Sequence, residues 1–137
     1  QFAALRSFKT NETGFTRAFE GRALETWHGK QAPEKDEDPE LIAKGREIFK
    51  TKACIACHTV RGHDGAGVQG PDLTHVGSRT TIAAGWLENN REQLQRWIHD
   101  PGAVKPGNKM AKGYVDQKIV LTAGDEVALV AYLESLK

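Results

Sequence analysis

Both cysteines of this 137-residue chain fall in one pentapeptide, Cys54-Ile55-Ala56-Cys57-His58. Two intervening residues on a helical turn set the thiols apart at the separation of the two vinyl groups of a porphyrin, and the adjacent imidazole then projects over the ring centre. The pattern points to one covalently attached c-type haem, with Cys54 and Cys57 as thioether donors and His58 as an iron ligand. Three other chemistries use paired cysteines. A structural zinc site wants a second Cys or His pair at short spacing, and the sequence offers none. A thioredoxin-like pair follows a strand, whereas here a helical pattern precedes and a glycine-rich stretch follows. A plain disulfide is the third.

The rest of the chain reads as one compact domain behind a charged approach. Two prolines bracket a run of charges from Lys30 to Pro39, which is expected to stay solvated and act as a linker. Upstream, Phe15, Phe19, Ala23 and Trp27 recur every four residues, the spacing of one helix face that could lie on the body. The chain starts at Gln1 without a basic-then-apolar leader, so a processed product or a piece of something longer is expected. No apolar run approaches the length of a membrane-spanning helix.

Downstream, Leu41, Gly45, Ile48 and Phe49 predict a helix that opens at Pro39-Glu40 and runs towards Cys54. A second is predicted over Glu92 to His99, started by Asn89 or Asn90 and stopped by Asp100-Pro101, with Leu94, Trp97 and Ile98 inward. A third covers Asp125 to Leu136, capped by Thr122, with Val127, Val130, Leu133 and Leu136 as its buried stripe. Between them, Arg61 to Gly85 and Pro101 to Thr122 read as long irregular segments, of the kind that wrap a bound group.

Besides His58, four histidines and a single methionine compete for the second iron position. Met110 is the best candidate, because it sits in the polar stretch Lys105-Pro106-Gly107-Asn108-Lys109-Met110, read as a loop where core packing does not need it. Bis-histidine ligation through His63 or His75 is the competing set, and His28 and His99 read as surface residues. A thioether favours ferrous iron more than imidazole does, so Met/His ligation implies a comparatively high reduction potential. The net charge is +1 and no basic tract is interleaved with aromatics, which argues against nucleic acid. Lys105, Lys109, Lys112 and Lys118 cluster around the Met segment with only Asp116 opposing them, a face that could steer an acidic partner.

Residues 39 to 137 resemble the class I cytochrome c family, a small all-α fold of helices and loops around one covalent haem. Gly45 and Phe49 are similar to that family's first-helix pair, and Tyr132-Leu133 to the terminal-helix partner crossing it. Gly70-Pro71-Asp72-Leu73 resembles the loop whose proline carbonyl accepts a hydrogen bond from the ligand imidazole. The resemblance further implies Arg79 near a haem propionate, Trp97 beside the Met ligand, and Met110 as that ligand. More narrowly, Gly70 to Gly85, Trp97-Ile98 and Lys105 to Met110 are similar to the cytochrome c domain fused to the C-terminal end of subunit II of caa-type haem-copper oxidases.

That narrower likeness implies single-electron transfer from an upstream respiratory donor to the copper domain of subunit II. It makes residues 1 to 38 an extension or connector. Haem attachment of this type is completed outside the bacterial cytoplasm, so the domain is expected in the periplasm or at the outer face of the bacterial cytoplasmic membrane, attached to the membrane only through the parent complex and monomeric as a fragment. The chain has no second cysteine pair for a dinuclear copper centre. A free monohaem shuttle is the alternative, and a peroxidase or gas sensor with an open distal site is a third reading.

Overall fold

The computed structural model describes residues 21–63 and 65–137, with side chains from residue 25 onward. The Phe15 and Phe19 positions of the expected N-terminal helix face lie outside the described residues. Helix α1 spans Gly21–Gly29. Its Trp27 is 46% exposed, so this side chain is not seated in the core as the four-residue spacing suggested.

Helix α2 spans Pro39–Thr51 and begins where the sequence places it. Asp38 Oδ1 accepts the N–H groups of Glu40 and Leu41 at 3.0 and 3.2 Å, and Pro39 occupies a first-turn position whose N–H would have no partner. The chain then turns through Ala53, in the left-handed region at φ 60°, into a single 3-10 turn at Cys54–Ala56. A second 3-10 turn, Val76–Ser78, leads to a two-residue antiparallel ribbon, β1 (Thr81–Ile82) and β2 (Leu87–Glu88), in which Thr81 faces Glu88 and Ile82 faces Leu87.

Helix α3 is Arg91–His99, and Asn90 is its cap, accepting the Gln93 N–H at 2.9 Å. The neighbouring Asn89 has a different task. It is 6% exposed, and its amide donates to the Val76 and Arg79 carbonyls at 2.7 and 2.8 Å, fastening the ribbon to the preceding turn.

The stretch from Pro101 to Thr122, expected to be irregular, contains two further helices, α4 (Pro101–Val104) and α5 (Lys109–Asp116). Helix α6, Ala123–Ser135, starts with a reciprocal capping box in which Thr122 and Asp125 each accept the other's backbone N–H.

The core lies where α2 and α6 cross. Phe49 is 2% exposed and its ring tilts against that of Tyr132 at 5.6 Å between centroids; fully burying such a ring is worth about 1.5–3 kcal/mol. Gly45 permits the approach, since a Cβ there would sit 2.0 Å from the Ala128 carbonyl oxygen and 2.7 Å from Tyr132 Cβ. The expected stripe on α6 needs one correction. Val130 and Leu133 are buried, but Val127 is 46% exposed, and Ala128, Leu129 and Tyr132 are buried as well. The helix is enclosed by α2, α3 and the Val76–Ser78 turn, so its buried surface is wider than one stripe.

Candidate haem site

The thiols and the imidazole are set by one tight turn. Cys57 and His58 both donate their N–H groups to the Cys54 carbonyl, at 3.2 and 3.0 Å. The glycine-rich segment then folds back on this turn. Gly70 donates to the Cys57 carbonyl at 2.7 Å, Leu73 to the Thr59 carbonyl at 2.8 Å, and Thr59 Oγ1 to the Gly67 carbonyl at 2.8 Å. This brings Pro71 over the histidine, and His58 Nδ1 lies 2.9 Å from the Pro71 carbonyl oxygen. A carbonyl only accepts, so Nδ1 carries the hydrogen and Nε2 is the nitrogen with a lone pair to offer a metal. Gly70 is required beside the ring, because a Cβ there would meet His58 Cε1 at 2.5 Å. Burial holds the imidazole below its usual range, the Pro71 hydrogen bond opposing, so the ring is the neutral form that a metal needs.

Burial also pushes the Cys54 thiol up, to about 11. A thioredoxin-like cysteine depends on a depressed thiol, so this environment argues against that chemistry. Among the described residues no group of three or more His, Cys, Asp or Glu side chains could hold a metal ion, which leaves the zinc reading without ligands. Cys54, Ile55, Leu73, Leu87, Trp97 and Leu121 are apolar or weakly polar side chains packed on the core yet only partly buried. Two thiols on one turn, an oriented imidazole and such an apolar surface fit a covalently attached haem.

The other predicted positions are distributed around this group. Arg79 donates to the Asp72 carbonyl and so braces the loop that carries Pro71. Trp97 stands half-buried on α3. Met110 is half-buried and is the second residue of α5, on a helix rather than in the loop the sequence suggested. Among the described residues no hydrogen bond links Trp97 or Met110 to the Cys54–Pro71 group. The competing histidines have protein partners: His63 lies beside Phe49 and Tyr132 with Nε2 3.2 Å from the Arg46 carbonyl, and His75 contacts the Lys137 carbonyl and Arg61.

Two residues that sequence reasoning assigned no role hold the Met110 helix. Asn108 Oδ1 accepts the Ala111 N–H at 2.8 Å while Nδ2 donates to the Pro101 and Lys105 carbonyls at 2.6 and 2.7 Å. Tyr114 Oη donates to the Ile98 carbonyl at 2.8 Å. The available signal was the cap preference of Asn three residues before Ala111. Of the lysines expected to form a steering face, Lys105 donates to the Ala83 carbonyl at 3.2 Å and lies 5.5 Å from the Trp86 ring centroid, and Lys112 pairs with Asp116 at 2.5 Å.

The family model for cytochrome c matches residues 42–137. The chain is similar to cytochrome c oxidase subunit 2 of Alkalihalophilus pseudofirmus, at 41% identity over 88% of this chain and 33% of that protein. It is similar also to cytochrome c oxidase subunit 2 of Bacillus subtilis, at 36% identity over 98% of this chain and 36% of that one. The chain thus spans about a third of the length of these relatives. Cytochrome c of the fungus Gibberella zeae is 34% identical over 68% of this chain and 92% of its own length. With the match covering most of the sequence and the motif standing in the turn described above, the chain belongs to the cytochrome c family.

Proposed function

We propose that residues 39–137 form an electron-transfer domain carrying one haem c, attached through thioethers to Cys54 and Cys57 and ligated by His58 Nε2 and Met110. When bound, the haem supplies a one-electron couple at iron that neither makes nor breaks a covalent bond. The observation that carries this reading is the His58 Nδ1–H bond to the Pro71 carbonyl at 2.9 Å, which orients the imidazole and strengthens its donation through Nε2. In this reading Arg79 offsets a propionate, whose burial would otherwise be costly. In this reading Trp97, half-buried on α3, stands beside the Met ligand.

The domain serves as the C-terminal part of an oxidase subunit 2, with residues 1–38 as the connector. It takes electrons from a respiratory donor and passes them to the copper domain at the outer face of the bacterial membrane. Tethering raises the effective concentration of that acceptor, so tight docking is unnecessary. No helix among the described residues is long and apolar enough to cross a membrane, and in this reading the anchor belongs to the parent complex. The near full-length match to a fungal cytochrome c favours a free shuttle as the second reading. The gene upstream decides between them, since a copper motif and membrane spans there support the fused form.

Intact mass of the denatured holoprotein tests the cofactor. It is expected to exceed the polypeptide by one haem, and full extraction of the colour into acid acetone would overturn the reading. The ferric sulfur-to-iron charge-transfer band near the red edge tests the second ligand, and it is expected to vanish in Met110→Ala.

A further inference from the structure

Tyr114 belongs to none of the motifs that point to haem binding. It lies four residues after Met110, one turn along the same face of α5. Its side chain is half-buried and its hydroxyl donates to the Ile98 carbonyl at 2.8 Å. That carbonyl belongs to the last turn of α3, where helix carbonyls lack intrahelical partners, and Ile98 itself is 3% exposed. Burial, with the nearby Glu126 carboxylate, pushes the phenol above its usual range, and the hydroxyl is a donor at neutral pH. The start of α5 is held separately, by Asn108 on the Pro101 and Lys105 carbonyls. Among the described residues, the tyrosine supplies the side-chain hydrogen bond that joins the Met-bearing helix to α3.

We propose that Tyr114 is a positioning residue for Met110: its hydroxyl, anchored on the Ile98 carbonyl, holds α5 against α3 and thereby keeps the thioether on the iron. This rests on the Met110 ligation proposed above. Without the anchor α5 loses its side-chain hydrogen bond to α3 and keeps the Asn108 bonds at its first turn, and the arrangement with Met110 withdrawn gains population.

The test compares the ferric holoprotein with its Tyr114→Phe variant, which removes one oxygen and keeps the ring. Added imidazole occupies the iron only when Met110 has left, so its apparent affinity reads the detached fraction. The denaturant midpoint is followed in parallel. Imidazole is expected to bind the variant about fivefold more tightly, the worth of one net hydrogen bond, with the sulfur-to-iron band lost at correspondingly lower imidazole. An unchanged imidazole affinity would overturn the proposal even if the unfolding midpoint fell, because a purely structural tyrosine moves only the latter. A parent protein without the sulfur-to-iron band would instead overturn Met110 ligation, and the positioning role with it.

Discussion

Gly45 and Ala128 meet at the crossing of α2 and α6 so closely that a methyl group on Gly45 would stand 2.0 Å from the Ala128 carbonyl oxygen. Backbone cannot move aside as a flexible side chain can, so Gly45→Ala forces the helices apart and loosens Phe49 against Tyr132. The expected loss is about 3 kcal/mol, the upper range for an overpacked core. Denaturant unfolding of the holoprotein measures it, and a loss below about 1 kcal/mol would show that the crossing is not tightly packed.

Gly70 bears on His58, the iron ligand proposed above. A Cβ at this position would meet His58 Cε1 at 2.5 Å and displace the imidazole from the Pro71 carbonyl. Losing that hydrogen bond weakens the imidazole as a donor and disfavours the ferric state. Gly70→Ala is expected to raise the reduction potential by about 40 mV, one net hydrogen bond expressed for a single electron. Voltammetry reads it directly. A potential that fell or stayed fixed would contradict the assigned role of the Pro71 bond.

The parts legible in the sequence are those fixed by local rules. Asp38-Pro39 announces the start of α2, Thr122 caps α6, and Asp100-Pro101 closes α3. The attachment turn is legible because its spacing is dictated by porphyrin geometry. Helix α5 is not legible, since Gly113 interrupts its pattern, Gly107 marks a turn just before it, and its hold on the body is tertiary, through Asn108 and Tyr114. Met110 was therefore read as a loop residue. Val127 was misplaced for the opposite reason: α6 is apolar around much of its circumference, so periodicity could not say which side chain would face water. Likewise, the spacing of charges around Lys30–Pro39 could not foretell which would find partners.

His99 and Glu126 give the fold a pH-dependent element away from the haem motif. His99 Nδ1 lies 2.7 Å from Oε1 of Glu126, whose residue is 7% exposed, and this hydrogen bond and charge raise the imidazole above its ordinary value. A raised histidine contributes stability that is fully present below its unfolded value of about 6.5 and fades as pH rises through the folded value. His99→Gln keeps a neutral donor but removes the charge. Its unfolding midpoint should lie below that of the parent at about pH 5 and converge with it at about pH 9. A gap that widened with rising pH would reverse the assignment.

Among the described residues, Lys30, Glu34 and Asp36 of the charged run before α2 are each bonded to the body. Arg91 pairs with Asp36 at 2.6 Å and with Glu134 at 2.9 Å, Lys137 pairs with Glu34 at 2.9 Å, and Lys30 donates to the Asn89 carbonyl at 2.6 Å. Exposure of Asp36 and Arg91 keeps that pair weak, since exposed ion pairs contribute about 0.2–1 kcal/mol and are screened by salt. Their loss should hardly change global stability, because none of them belongs to the α2–α6 core. It should instead free the connector locally, and proteolysis of a locally opened segment follows the population of the open form. In a variant combining Arg91→Gln with Lys137→Gln, which breaks both pairs and leaves the residues beside the scissile bond unchanged, trypsin cleavage after Lys35 is expected to run about fivefold faster than in the parent at low salt. At high salt, where the parent's pairs are screened, the two rates should approach each other. Equal rates at low salt would mean that backbone geometry, and not these ion pairs, holds the connector in place.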